Sequence, residues 1–267
     1  MKVQFKYYKD AKKRALTMSY DDGREVDNRL VQIFNLHGIR GTFHLNSGFL
    51  GTDRCLTHED VRDRFAHHEI SVHTLTHPWC DKISDEELHF EVMEDRKNLE
   101  ALCGYPVRGM SYPFGVYTTH MIEVLKSLGM KYARTIKSTD SFALPDDFMA
   151  WHPTCHHDSP KLFELLEKFK SSRMPLPLFY VWGHSFEFDQ KNNWSHIERF
   201  CAEAGGLQDV WYATNIEIYD YLTALRALAF TADRTVVYNP TATDVWIAVD
   251  DAPVRICAGA TVDLTTL

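Results

Sequence analysis

Residues 16–23 read LTMSYDDG, an apolar run that stops at two adjacent aspartates, Asp21 and Asp22, and a glycine. Neighbouring carboxylates repel each other and resist burial unless a cation or a shared proton relieves them. Asp-Asp-Gly is also ordinary turn chemistry, so the pair gains meaning from what the rest of the chain brings near it. Its strand, RALTMSY, opens a series. VDNRLVQIFNLHG follows with Leu30, Ile33, Phe34 and Leu36 at helical spacing and is closed by Gly38. GTFHL is a second strand, and THEDVRDRFAHH is a helix capped by Thr57. EISVH is a third strand ending at His73. SDEELHFEVMEDRKNLEALCG then starts with a Ser84–Glu87 capping box and ends at Gly104.

The alternation continues through VRGMSY, the helix HMIEVLKSLG, the strands KYARTI and FMAWHPT, the helix PKLFELLEKFK and the strand LFYVWGHS. NWSHIERFCAEAGG and NIEIYDYLTALRALAF are helices on either side of the strand DVWYAT. Such spacing predicts an α/β chain with a mostly parallel sheet, curled into an incomplete or distorted (β/α) barrel over residues 1–232. From about residue 233 to 267 the pattern changes to short strands, TVVYNP, VWIAVD and PVRIC, without helices. This segment reads as a small β appendage packed on the barrel, with no chemistry of its own, and it leaves pairing with a second copy of the chain open.

With 267 residues and 45% hydrophobic content, the chain has enough apolar material for one large core. A formal net charge of −8 and the absence of a Lys/Arg run argue against sequence-independent nucleic-acid binding. No stretch is apolar enough to cross a bilayer, and the first twenty residues lack a signal-peptide core, so the expected location is cytoplasmic. The six scattered cysteines then read as free thiols.

Placed on this map, the reactive residues fall at strand C-termini. Asp21 and Asp22 follow the first strand, His73 and His77 of HTLTH follow the third, YPFG (112–115) follows the fourth, and His184 follows LFYVW. In a parallel barrel these ends share one face, where catalytic groups gather. Two neutral imidazoles and a carboxylate suit a divalent cation that keeps a position open for water. One aspartate then binds the cation, and the other stays ionised beside it as a general base.

MSYDDG, HTLTH and YPFG, in this order, resemble the motifs of the polysaccharide deacetylase family, over roughly residues 13–229. The resemblance implies an irregular barrel of seven parallel strands, a (β/α)7 barrel, and removal of N-acetyl or O-acetyl groups from a carbohydrate. It makes Asp21 the base, Asp22, His73 and His77 the ligands of one metal ion, and His184 the general acid. Zinc is the default for that ligand set, with cobalt, nickel or manganese fitting too, and an N-acetylated sugar or oligosaccharide is the expected substrate. Attack on the acetyl carbonyl by metal-bound water creates an oxyanion. The loop Tyr112, Pro113, Phe114, Gly115 can serve it through the Phe114 N–H, since Pro113 has none.

Two positions depart from the family. Many members carry an Arg two residues before the Pro of the third motif; here it is Ser111, and Arg134 is the candidate replacement as orienter of the base. The usual Asp partner of the acid histidine is also not evident; Asp140 is a candidate, with a surface turn the favoured reading, and Glu187 suits either an orienter of His184 or a loop carboxylate. Trp79 and Trp182 suit a sugar-stacking wall or core packing. TCHHDS (154–159) reads as a polar loop, because contiguous histidines do not easily face one ion. Competing readings are a hydrolase of a non-sugar amide or cyclic imide, a two-His-one-carboxylate iron oxygenase, and a non-catalytic carbohydrate-binding barrel.

Overall fold

The computed structural model describes residues 1–266. After a short strand Val3–Gln4 (β1), the chain enters Arg14–Asp21 (β2), all eight residues of which are buried. Successive side chains of a strand point to opposite faces. Leu16, Met18 and Tyr20 accordingly join one apolar core, whereas Thr17, Ser19 and Asp21 are buried polar residues. Thr17 donates to Asn215 Oδ1 (2.9 Å), and Ser19 Oγ lies 3.0 Å from His44 Nε2.

Around β2 lie Gly41–Leu45 (β3), Glu69–Val72 (β4), Gly109–Ser111 (β5), Tyr132–Arg134 (β6), Cys155–His156 (β7) and Leu178–Gly183 (β8). Their order is β6-β5-β4-β3-β2-β8-β7, with Val210–Tyr212 (β9) beside the start of β2, and every pairing is parallel. A bridge from Arg134 to Trp151, in the segment leading to β7, links the two ends of this curled sheet. The result is the α/β, irregular barrel expected from the sequence, with seven strands in line and β9 added beside β2. FMAWHPT is the exception: it forms a 3-10 turn, Phe148–Ala150, and only Trp151 within it bridges to the sheet.

The helices are Asp27–Leu36 (α1), His58–Arg64 (α2), Asp85–Cys103 (α3), Thr119–Ser127 (α4), Leu162–Ser171 (α5), Phe186–Gln190 (α6), Trp194–Ala204 (α7) and Asn215–Arg226 (α8). Reciprocal capping boxes begin three of them: Thr57 with Asp60, Ser84 with Glu87, and Thr214 with Glu217. Gly104 ends α3 at φ 75°, a left-handed conformation that costs glycine little. Lower in the barrel, Glu69 accepts from Tyr132 Oη (2.7 Å), Thr42 Oγ1 (3.0 Å) and the Ile216 N–H (2.9 Å), fastening α8 to β3, β4 and β6.

Ala229–Phe230 (β10), Val236–Tyr238 (β11) and Thr261–Asp263 (β14) form one small antiparallel sheet. Val245–Val249 (β12) and Ala252–Ile256 (β13) form another with β1, where Val3 pairs with Val249. The terminal strands therefore take in residues on both sides of the boundary read at 232. Two-residue strands such as β1 and β10 are too short to carry a hydrophobic period. Val237, Val245, Ile247 and Ile256 share a core with Tyr221, Leu222 and Leu225 of α8 and with Ala15 and Leu178. Those last two residues begin β2 and β8, so the small sheets pack at the end of the barrel opposite Asp21 and Gly183. No helix among the described residues is long and apolar enough to cross a membrane.

Candidate active site

At the C-terminal ends of β2 and β4 the two motifs meet. Asp22 Oδ1 lies 3.5 Å from His73 Nε2 and 3.8 Å from His77 Nε2, and one ligand atom from each residue falls within 4.8 Å of the others. Donors bound tetrahedrally at about 2.0–2.1 Å are separated by about 3.4 Å, so the set fits a small divalent cation. Within the site the tautomer of His73 is fixed. Its Nδ1 lies 3.0 Å from the Ser111 carbonyl, an acceptor only, which puts the proton on Nδ1 and leaves the Nε2 lone pair facing Asp22. Burial holds His73 below its ordinary pKa against the pull of Asp21 and Asp22, keeping it neutral and ligand-ready.

The backbone here is held in conformations that L-residues seldom adopt. Asp22, Thr74, His77 and Phe114 all have φ between 56° and 78°. Such outliers persist where the surroundings over-determine them, and the surroundings are visible. Asn46 Nδ2 donates to the carbonyls of His73 (2.5 Å) and Thr74 (2.9 Å). Asp95 of α3 accepts the backbone N–H of His73 (3.1 Å) and of Ser47 (2.7 Å). Glu91, also on α3, accepts the N–H (2.8 Å) and hydroxyl (2.6 Å) of Thr76. Helix α3 thus clamps the HTLTH loop.

Asp21 is buried beside the ligand set. Arg134, wholly buried at the end of β6, donates to Oδ2, and Ser111 Oγ donates to Oδ1 (3.2 Å). Burial alone would raise this carboxyl, but the Arg134 charge outweighs it and holds Asp21 well below the usual carboxylate range. The guanidinium lies over the Trp182 ring, 4.5 Å from its centroid, and Trp182 in turn is 5.7 Å from the His184 ring. His184 Nδ1 lies 2.9 Å from Glu187 Oε1. Burial pulls the His184 pKa down, yet Glu187, with Asp21 and Asp22 behind it, carries it above its ordinary value. Asp140 is not the partner: it pairs with Lys161 (2.6 Å) on the surface.

In the YPFG loop the Tyr112 side chain is buried, with its hydroxyl on the Met149 carbonyl (2.7 Å), so it does not enter the site. The Tyr112 N–H goes to Arg134 O and the Gly115 N–H to Tyr112 O. Pro113 has no N–H, which leaves the Phe114 N–H as the loop's remaining donor. The Phe114 ring stacks on Trp79 at 4.0 Å and 8°, with its edge toward His77 at 4.5 Å, and both stacked rings are exposed, Trp79 by 50% and Phe114 by 44%. Cys80, by contrast, is buried with its thiol pushed up to about 12, and is inert.

Sequence reasoning missed Asn46, Glu91, Asp95 and Asp27. The last two carried a signal: each is a carboxylate on the buried stripe of a helix, Asp27 with Leu30, Val31 and Phe34, and Asp95 with Leu88, Val92 and Leu99. Burial pushes the Asp27 carboxyl up to about 8 against the opposing pull of Ser185, and the Asp21–Asp22 pair adds to the rise.

Comparison with known proteins gives a consistent picture. Residues 8–133 match the family model for polysaccharide deacetylase. A chitooligosaccharide deacetylase from Bradyrhizobium is 25% identical over 120 residues, 44% of this chain and 53% of that protein, so the match spans about half of this curated relative. A crystal structure of a Mycobacterium smegmatis protein assigned to the polysaccharide deacetylases superposes with a TM-score of 0.61 at 17% identity, over 82% of this chain and 93% of that one. It shows the fold. A Streptococcus pyogenes deacetylase solved with acetate aligns over 45% of this chain and 55% of its own, at 18% identity and a TM-score of 0.44.

Proposed function

We propose that this chain, whose residues 8–133 match the polysaccharide deacetylase model, is a member of that family and a hydrolase that removes acetyl groups, N-linked first and O-linked second, from a carbohydrate. Asp22, His73 and His77 hold one divalent cation, zinc by default and cobalt, nickel or manganese by fit. The observation that carries this reading is the pairing of that ligand set with a second carboxylate, Asp21, kept ionised beside it by a buried arginine.

When bound, the cation supplies Lewis-acid polarisation of the acetyl carbonyl and acidifies water, which suits a carboxylate as weakly basic as Asp21. Asp21 accepts the proton of the attacking water, while Arg134 and Ser111 fix the direction of its oxygens. The Phe114 N–H donates to the oxyanion that develops on the carbonyl oxygen. His184, protonated and held through Nδ1 by Glu187, gives its Nε2 proton to the leaving nitrogen or oxygen. The exposed Trp79–Phe114 stack offers a flat apolar surface to the C–H face of a sugar ring.

The test follows metal content and acetate release from N-acetylglucosamine oligomers together, with and without chelator, in wild type and in H73A/H77A. Expected is loss of about one metal per chain and of acetate release in the variant. Bound metal without acetate release would move the substrate to a non-sugar amide or cyclic imide. No metal under any loading would sink the reading.

A further inference from the structure

A second group of ligating side chains lies beyond Glu187. His157 is fully buried, its ring stacked on Phe188 (4.3 Å, 29°) and on Tyr20 (5.7 Å, 12°). Gly183 is what admits it: a Cβ there would stand 2.0 Å from His157 Nδ1. Neither ring nitrogen of His157 has a hydrogen-bond partner, and neither does the buried Glu187 Oε2, although Oε2 and His157 Nε2 are only 3.1 Å apart. The two are close without being aligned for an N–H···O bond. A donor and acceptor sharing a hydrogen point at each other, whereas two ligands of one cation point at a common third position. Asp158 Oδ1 joins them at 3.6 Å from His157 Nε2, and one ligand atom from each of His156, His157, Asp158 and Glu187 falls within 4.8 Å of the others.

Within this group the roles differ. His156 Nδ1 accepts the backbone N–H of Asp158 (3.2 Å), which leaves its hydrogen on Nε2, 3.4 Å from Glu187 Oε2. With a hydrogen and no lone pair on that nitrogen, His156 is not a ligand. We propose that His157 Nε2, Asp158 Oδ1 and Glu187 Oε2 form a second divalent-cation site, separate from Asp22, His73 and His77. One imidazole and two carboxylates, with no thiolate, select zinc, manganese or cobalt. Lys191 is the built-in competitor. Its ammonium pairs with Asp158 Oδ2 and lies 3.7 Å from Glu187 Oε2, on a half-exposed side chain free to swing away. Glu187 joins the two centres, with Oε1 on His184 and Oε2 in the new site, so occupancy bears directly on how His184 is held.

The experiment is a Co2+ titration of chelator-stripped, full-length protein, read by visible absorption and by metal analysis. Wild type is expected to take up about two equivalents, and H73A/H77A, H157Q and D158N about one each. The equivalent lost in H73A/H77A reports the first site, and that lost in D158N reports the second, so the two readings fail separately. Lys191→Gln is expected to tighten the second equivalent, because it removes the competing ammonium. Should H157Q not fold, D158N, at a half-buried position, carries the test. A single equivalent in wild type, or a second one that persists in D158N, overturns the proposal.

Discussion

Two clusters of histidine and carboxylate sit on one barrel, and they are built differently. In the Asp22–His73–His77 set the far nitrogen of His73 is engaged by the Ser111 carbonyl, the loop is clamped by Asn46, Glu91 and Asp95, and three of the backbone positions, Asp22, Thr74 and His77, are held at positive φ. Around His157 the far nitrogen has no partner, Glu187 rides on a five-residue helix, and a lysine already answers one carboxylate. The first set is organised before anything binds, which favours tight binding and precise chemistry. The second must exchange Lys191 for its ion, which favours weaker, adjustable occupancy. Rigidity is thus the distinguishing feature, and it is measurable.

The largest effect tests the first cluster. Asp21→Asn keeps the shape of the base but removes its charge, and acetate release is expected to fall about 10²–10⁴-fold with metal content retained. If metal content fell instead, Asp21 would be a ligand and the division of labour between the two aspartates would be wrong. Next comes Arg134→Ala, which strands the buried Asp21 charge. Denaturant unfolding should show a loss of about 3–5 kcal/mol, since removing one partner of a buried pair leaves the other uncompensated. Asp21 is depressed in the folded state, so its contribution is complete above the ordinary carboxylate range and fades as acid titrates it. The wild-type advantage over Arg134→Ala should accordingly shrink with falling pH. An unchanged gap down to strong acid would mean the pair is not what holds this part of the barrel.

A third variant touches both clusters. Glu187 raises the His184 pKa, so Glu187→Gln should lower it, and the alkaline limb of the kcat profile should move to lower pH. Turnover at neutral pH is expected to drop about 10-fold. A profile that keeps its alkaline limb would show that His184 is not the acid.

Much of this is legible in the sequence because strand–helix alternation, the Ser84–Glu87 capping box and the HTLTH spacing are local signals. Arg134 is legible as the replacement for the arginine missing at Ser111, and its guanidinium lies on Asp21. What escaped was tertiary. Nothing in TCHHDS shows that one histidine folds in against Gly183 while its neighbour turns to the backbone of Asp158. Asp140 reads as a surface turn ahead of a partner for His184, and Glu187 reads as an orienter or a loop carboxylate alike, because which carboxylate lies near a histidine depends on loop paths that carry no period. Asp27 and Asp95 are readable in principle, as charges on apolar helix stripes.

The smallest effect separates bracing from binding. Ser84 caps α3, the helix that supplies Glu91 and Asp95 to the HTLTH loop and nothing to the His157 group. Ser84→Ala removes one side-chain acceptor from the helix start and should cost about 1 kcal/mol, a fall in Tm of roughly 2–4 °C for a chain of this size. If α3 acts as a clamp, that loss should be concentrated where the clamp acts. Amide exchange at Thr74–Thr76 should quicken while exchange at His156–Asp158 stays unchanged, because an end-fraying helix transmits its opening only to what it touches. Equal quickening in both loops would mean that the two clusters share one cooperative unit, and the contrast in rigidity drawn from their hydrogen bonds would fail.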